Sequence, residues 1–129
     1  QLKRTIDLGA DFGISPGFEI EIIKYAKEKN FLYIPGVSTA SEILSCLKFD
    51  CKFLKLFPAE PLGGISYLNS LSGPFPNVSF CPTGGINSGN YLSWLSQKNV
   101  LFVGGSWIAP KNDNNYDEIK KRALEVLKN

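Results

Sequence analysis

The sequence predicts an α/β fold with a parallel sheet, because three features recur along it. Short apolar runs alternate with helical patterns, each run ends at a proline or a glycine pair, and the spacing is regular. The runs end at Pro16, Pro35, Pro58, Pro82 and Gly104, which are 19, 23, 24 and 22 residues apart. Each unit therefore holds one strand and one helix, and such alternation favours a parallel sheet covered by helices.

The apolar runs are the predicted strands, and they cover residues 11–15, 31–34, 53–57, 78–81 and 100–103. Proline cannot donate a hydrogen bond to a sheet ladder, so its place just beyond a strand end supports this assignment. Residues 1–9 form a helical pattern before the first strand, and Phe18, Ile22 and Ala26 form an apolar helical stripe after it.

The later helices carry their own start signals. Thr39 and Glu42 are spaced as a capping box, followed by an apolar stripe. A short helix is predicted over residues 65–71, after Gly63-Gly64. The last helix is predicted to be capped by Asp113 or Asn115. Its inward-facing residues are predicted to be Ile119, Ala123, Val126 and Leu127.

The polar and glycine-rich features lie at the C-terminal ends of the strands, where barrel enzymes hold their active sites. We therefore expect a (βα)8 TIM barrel rather than a doubly wound open sheet. Residues 1–129 would form a partial barrel domain of about five C-terminal βα units. Five units cannot close an eight-stranded barrel, so the first three are expected to precede Gln1. The sequence also contains no methionine, as expected of a partial chain. Residues 11–15 and 100–103 would then contact polypeptide outside this sequence.

Composition excludes several classes of function. The net charge is +2 with no basic face, so no nucleic-acid partner is expected, and no apolar run is long enough to predict a membrane span. The three cysteines form no paired motif, which is typical of reduced thiols in the cytoplasm. The absence of histidine removes serine–histidine triads and histidine-ligated zinc sites.

Lys55 lies inside an otherwise apolar predicted strand. Alternation places Phe53, Lys55 and Phe57 on one face, with Leu54 and Leu56 on the other. Burial in a barrel lumen would lower the lysine pKa from about 10.4 and favour the neutral amine that attacks a ketone. The alternative is an edge-strand lysine that blocks aggregation, a role that fits Lys52 better.

Two glycine pairs follow the last two predicted strands, Gly84-Gly85 after Thr83 and Gly104-Gly105 before Ser106. Loops at these places in barrels frequently bind phosphate through backbone N–H groups. Glycine pairs that only permit tight turns are the alternative. Glu60, just beyond a strand, is either a general acid or base or an exposed loop carboxylate.

Several segments together resemble one family, the 2-keto-3-deoxy-6-phosphogluconate (KDPG) aldolases, also called 4-hydroxy-2-oxoglutarate aldolases. The segments occur in the family's order up to about Pro110. They are Ile14-Ser15-Pro16-Gly17, Ile34-Pro35-Gly36-Val37-Ser38-Thr39, Lys55-Leu56-Phe57-Pro58-Ala59-Glu60, Phe80-Cys81-Pro82-Thr83-Gly84-Gly85-Ile86 and Gly104-Gly105-Ser106-Trp107. This chain would correspond to the C-terminal portion of such an enzyme.

The resemblance implies a role for each matching residue. It makes Lys55 the Schiff-base lysine, places Pro16 and Phe57 around the pyruvyl group, and places Thr83 at the substrate carboxylate. The implied phosphate-binding residues are Gly84, Gly85, Gly105 and Ser106. The implied reaction is cleavage of the phosphorylated keto acid to pyruvate and glyceraldehyde 3-phosphate without a metal or cofactor. Cleavage of 4-hydroxy-2-oxoglutarate to pyruvate and glyoxylate is a further implied activity, and the full-length protein is expected to be a homotrimer.

The resemblance also marks a departure. The family's general-base glutamate, its substrate-binding arginine and a further threonine lie in the first three units, which this sequence does not contain. Three alternatives therefore stay open: an inactive aldolase fragment, an enzyme specific for the galactonate isomer, and a phosphate-binding barrel without covalent chemistry. The Pro82-Thr83-Gly84-Gly85 segment favours the gluconate enzyme over the galactonate one.

Overall fold

Strands and helices alternate along most of the chain, as the spacing predicts. The computed structural model of the protein describes residues 1–127. The helices are α1 (Leu2–Asp7), α2 (Ile20–Glu28), α3 (Ala40–Leu47), α4 (Gly64–Ser72), α5 (Tyr91–Leu95) and α6 (Tyr116–Leu127). The strands are β1 (Phe12–Ile14), β2 (Leu32–Ile34), β3 (Gly36–Val37), β4 (Phe53–Leu56) and β5 (Ser79–Pro82).

The strands pair in parallel and in chain order. β1 pairs with β2, β3 pairs with β4, and β4 pairs with β5. Only Pro35 separates β2 from β3, and its carbonyl accepts a hydrogen bond from the Lys55 N–H at 2.9 Å. Pro35 has no N–H to donate, so it interrupts the ladder while the neighbouring segments stay side by side. The predicted α/β fold with parallel strands is confirmed.

The fifth predicted strand, residues 100–103, requires a correction. Val100 bridges Phe80 and Gly104 bridges Thr83, both in parallel, but the residues between them form no regular strand. Leu101 donates to the Phe80 carbonyl and Gly104 donates to the Pro82 carbonyl. Pro82 has no N–H to donate, so the ladder is interrupted at this residue. The pairing resumes at the bridge between Thr83 and Gly104. The segment still lies beside β5.

The predicted helix starts are largely confirmed. The Glu42 backbone N–H donates to Thr39 Oγ1 at 3.3 Å, and the Thr39 N–H donates to Glu42 Oε2 at 2.8 Å, which completes the capping box. Before α6, the Glu118 N–H donates to Asn115 Oδ1 at 3.2 Å. Leu127 is 81% exposed, so its predicted inward position is wrong. It is the last residue of α6 and extends past the packed part of the helix.

The two faces of β4 differ as alternation predicts. Leu54 and Leu56 are fully buried in the main core, where side chains of four helices surround them. The helical residues include Ile23, Ile43, Leu68 and Trp94. Each fully buried leucine contributes roughly 1.5–3 kcal/mol relative to an exposed one. Lys55, on the opposite face, is half-buried. Within residues 1–127, no helix has both the length and the apolar character needed to cross a lipid bilayer.

Candidate active site

A pocket of about 470 Å³ lies where β4, β5 and the segment after Val100 end. It brings together all the predicted site residues except Pro16. Its lining residues are Phe12, Ile14, Lys55, Phe57, Cys81, Thr83, Gly84, Gly85, Ile86, Phe102, Gly104, Gly105 and Ser106. The face of β4 that holds Lys55 forms one wall, and the two glycine loops form the rim.

Lys55 is the one cationic side chain among these lining residues. Burial lowers its pKa below the ordinary value, because removal from water disfavours the ammonium form. Its Nζ lies 4.7 Å from the centre of the Phe57 ring. No ion pair among residues 1–127 involves Lys55, so no carboxylate holds it in the charged form. At a given pH, the fraction of neutral, nucleophilic amine is therefore larger for Lys55 than for an exposed lysine.

Cys81 is the strand partner of Lys55 and is 1% exposed. Burial raises the pKa of its thiol to about 11. A thiolate beside Lys55 would raise the lysine pKa, but the thiol stays protonated at neutral pH and has no charge to exert this effect. Burial therefore decides the state of Lys55. Cys81 packs as a small buried side chain.

Thr83 carries a buried hydroxyl that has no hydrogen-bond partner among residues 1–127. Its backbone is fully engaged: the Thr83 N–H donates to Leu56 and its carbonyl accepts from Ala59. An unsatisfied buried hydroxyl costs about 1–3 kcal/mol, so sites that keep one usually use it. The hydroxyl belongs to a residue of the pocket wall and can pair with a polar group bound there.

The first glycine loop needs glycine for its backbone angles, and both loops need it for space. Gly84 and Gly85 have φ angles of 91° and 88°. A Cβ on Gly85 would lie 2.5 Å from the Cβ of Glu60, and a Cβ on Gly105 would lie 2.1 Å from the Trp107 ring. In the described part of the chain, the N–H groups of Gly85, Gly105 and Ser106 donate no hydrogen bond. These donors stand at the pocket rim, a suitable arrangement for an anion.

This pocket excludes Pro16, a predicted site residue, and Glu60, a residue whose role the sequence leaves open. Pro16 lines a separate depression with Ser15, Phe18 and Tyr33. Glu60 is not among the lining residues. Its carboxylate accepts hydrogen bonds from Trp94 and Asn90 instead.

The sequence did not identify the apolar part of the lining. Phe12, Ile14 and Phe102 contribute to the pocket from the two flanks of the sheet. Their alternation with outward residues resembles that of any half-buried strand, so no local signal separates them from ordinary core residues. Asn87 and Asn90, which hold the Gly85 carbonyl, were missed as well. Two asparagines three residues apart after a glycine pair are the signal that could have found them.

Comparison with known proteins identifies the family of this chain. The family model for KDPG and KHG aldolase matches residues 1–122. The KHG/KDPG aldolase of Escherichia coli (strain K12) is 43% identical over 130 residues, which cover 98% of this chain and 61% of that protein. The chain thus spans about three fifths of the length of this curated relative.

Two solved structures extend the likeness to three dimensions. KDPG aldolase from Legionella pneumophila, with pyruvate captured at low pH as a covalent carbinolamine intermediate, has a TM-score of 0.92 and 41% identity. The match covers 97% of this chain and 62% of that one. The KDPG aldolase of Zymomonas mobilis ZM4 with 3-phosphoglycerate has a TM-score of 0.89 and 34% identity, covering 95% and 58%. The chain belongs to the KDPG and KHG aldolase family.

Proposed function

We propose that this chain carries the Schiff-base site of a class I aldolase that cleaves KDPG to pyruvate and glyceraldehyde 3-phosphate. The observation that carries the proposal is the half-buried Lys55, with a lowered pKa, facing a pocket rimmed by glycine loops. The relatives support the choice of substrate. The Escherichia coli protein is a KHG/KDPG aldolase, and the Legionella enzyme holds pyruvate as a carbinolamine.

The chemistry begins with addition of the neutral Lys55 amine to the ketone carbon of the substrate. Loss of water from the carbinolamine gives an iminium ion, which withdraws electrons from the neighbouring carbons. The C3–C4 bond then breaks, the C4 hydroxyl loses its proton, and the aldehyde product leaves. The enamine that remains takes up a proton at C3. Water then hydrolyses the imine, releasing pyruvate and restoring Lys55.

Each of the other site residues is assigned to one part of the substrate. We assign the Thr83 hydroxyl to the substrate carboxylate and Phe57 to the pyruvyl group. Pro16 keeps the role that the resemblance implies, as a further contact of the pyruvyl group. The phosphate is assigned to Gly84, Gly85, Gly105 and Ser106, where three N–H groups are free to donate. None of the lining residues is a carboxylate, so no described residue of the pocket is assigned to take the C4 hydroxyl proton.

The finer assignments are part of the same proposal. The KHG activity follows from the name of the Escherichia coli relative, since 4-hydroxy-2-oxoglutarate needs the same imine but no phosphate site. We also propose a cytoplasmic enzyme, in keeping with its three free cysteines, that associates as a homotrimer.

The test is release of pyruvate from KDPG, followed beside the galactonate isomer. We expect the gluconate substrate to be preferred and both Lys55→Ala and Lys55→Arg to be inactive, because a guanidinium stays protonated and cannot attack. The matched control is Lys52→Ala. Lys52 is exposed and pairs with Asp50 at 2.8 Å, so this variant should keep full activity. Turnover that persists without Lys55 would refute the proposal.

A further inference from the structure

Glu60 holds a carboxylate that the proposed chemistry does not use. Its Oε1 accepts two hydrogen bonds, from Trp94 Nε1 at 2.7 Å and from Asn90 Nδ2 at 3.1 Å. Trp94 is fully buried, so its indole is a fixed donor. The carboxylate is thus held by Trp94 of helix α5 and by Asn90, which directly precedes that helix, and Glu60 does not line the pocket.

Glu60 also contacts the backbone of the first glycine loop. The Glu60 N–H donates to the Gly84 carbonyl at 3.0 Å. The Cβ and Cγ of Glu60 lie 2.5 and 2.6 Å from where a Gly85 Cβ would stand, so its stem packs directly on the bare Gly85 backbone. Asn90 completes the contact, since its Nδ2 also donates to the Gly85 carbonyl at 3.1 Å.

These contacts set the direction of the loop's N–H groups. In a trans peptide the carbonyl and the following N–H point in opposite directions. Glu60 holds the Gly84 carbonyl, so the Gly85 N–H points away from Glu60. Asn87 and Asn90 each donate a hydrogen bond to the Gly85 carbonyl at 3.1 Å, so the Ile86 N–H points away from these two side chains. Gly85 and Ile86 both line the pocket.

We propose that Glu60 is a positioning residue that holds the Gly84–Gly85 loop in its anion-binding form through Trp94 and Asn90. The inference rests on the proposed phosphate site and deepens it. Glu60 acts as a hydrogen-bond acceptor in this role, so its charge is not required. A neutral acceptor of the same length should therefore replace it, whereas a side chain without an acceptor should not.

The experiment is a titration of the full 129-residue chain with inorganic phosphate, followed in ¹H–¹⁵N NMR spectra. The Gly85 amide reports binding, and the Trp94 indole N–H, identified by its loss in Trp94→Phe, reports the bond to Glu60. Glu60→Gln should bind phosphate within about twofold of the parent and keep the indole signal in place. Glu60→Ala should move that signal and bind about tenfold more weakly. A tenfold loss corresponds to about 1.4 kcal/mol, near the lower end for a hydrogen bond to a charged group.

Two controls separate positioning from general damage. Glu21→Ala removes an exposed carboxylate paired with Lys24 at 2.9 Å, and it should change nothing. Reductive trapping of pyruvate, which has no phosphate, should proceed at the parent rate in all these variants. Equal phosphate binding by Glu60→Ala and the parent would overturn the inference alone, as would an equal loss in Glu60→Gln. If the parent chain binds no phosphate while pyruvate is trapped, the proposed phosphate site fails and this inference fails with it.

Discussion

Lys55 owes its chemistry to its neighbours in the strand. Leu54 and Leu56 are fully buried and fix the register of β4, so the residue between them must face the pocket. On that face, Phe57 and the Cys81 side chain replace part of the water around the amine. Because neither neighbour is charged at neutral pH, nothing offsets the loss of hydration of the ammonium form. The same alternation that builds the core therefore lowers the lysine pKa.

This account predicts the pH dependence of imine formation at Lys55. Protonation disables the amine, so the rate with pyruvate should rise with pH and level off once Lys55 is neutral. Since burial lowers its pKa, the midpoint of this rise should lie below the ordinary lysine value of 10.5. The measurement is the initial rate of reductive trapping across a pH series. A midpoint at or above 10.5 would contradict the assigned environment.

Thr83 is predicted to trade stability for binding. Thr83→Val keeps the shape of the side chain and removes the buried hydroxyl that lacks a partner. The free energy of unfolding should rise by about 1 kcal/mol, the lower end of the cost of an unsatisfied group. Half-saturation for pyruvate in the trapping reaction should require about tenfold more ligand, because the carboxylate loses a donor. Thr83→Ser should keep the binding, and a Val variant with unchanged pyruvate binding would remove Thr83 from this role.

At the scale of the elements, most of the fold could be predicted from periodicity and helix capping. Strands β1, β2, β4 and β5 and the Thr39 cap are local features, set by alternation and by residues three apart in the chain. The segment after Val100 could not be predicted in the same way. Whether this segment pairs regularly with β5 depends on Pro82, a residue of β5 that has no N–H to donate.

The candidate site shows the same division between local and distant features. Glycine pairs and a lysine in an apolar strand are visible as letters in a short window. The contact between Glu60 and Gly85 joins residues 25 positions apart in the chain. The Glu60 carboxylate is in turn held by Trp94, which lies on α5. Only the folded arrangement shows that Glu60 faces Trp94 and Asn90 and is absent from the pocket wall.

The first glycine loop should be intolerant of even the smallest side chain. Gly85→Ala places a Cβ at a φ of 88° and within 2.5 Å of Glu60 Cβ. The backbone term alone costs about 1–2 kcal/mol, and the contact adds to it. Chemical denaturation should therefore show a loss of at least about 1 kcal/mol in the unfolding free energy. Gly73→Ala is the matched control, because no atom lies near its Cβ and its φ is −61°, and it should be neutral.

At the scale of the whole molecule, the sheet has one covered and one open face. The helices cover Leu54 and Leu56, while Phe12, Ile14 and Phe102 on the pocket side remain 47%, 41% and 40% exposed. Leu32 and Leu101 are 57% and 60% exposed. Apolar side chains exposed in this number are typical of surfaces that contact other polypeptide.

The proposed self-association would bury some of these exposed residues. We expect sedimentation of the chain to show self-association that increases with concentration. Leu32→Ser and Leu101→Ser should weaken it, because each removes apolar area at roughly 25 cal/mol per Å². Leu92→Ser, which changes a 50% exposed leucine on α5, is the control. A monomer at all concentrations would exclude self-association as the role of this surface.

The most direct test of the whole account is covalent capture at Lys55. The chain is incubated with pyruvate and a borohydride reagent, digested, and mapped by mass spectrometry. The expected result is one reduced pyruvyl group on the peptide that contains Lys55. Labelling should be lost in Lys55→Ala and retained in Lys52→Ala. Labelling spread equally over the exposed lysines, or undiminished in Lys55→Ala, would contradict the claim that this pocket makes Lys55 a nucleophile.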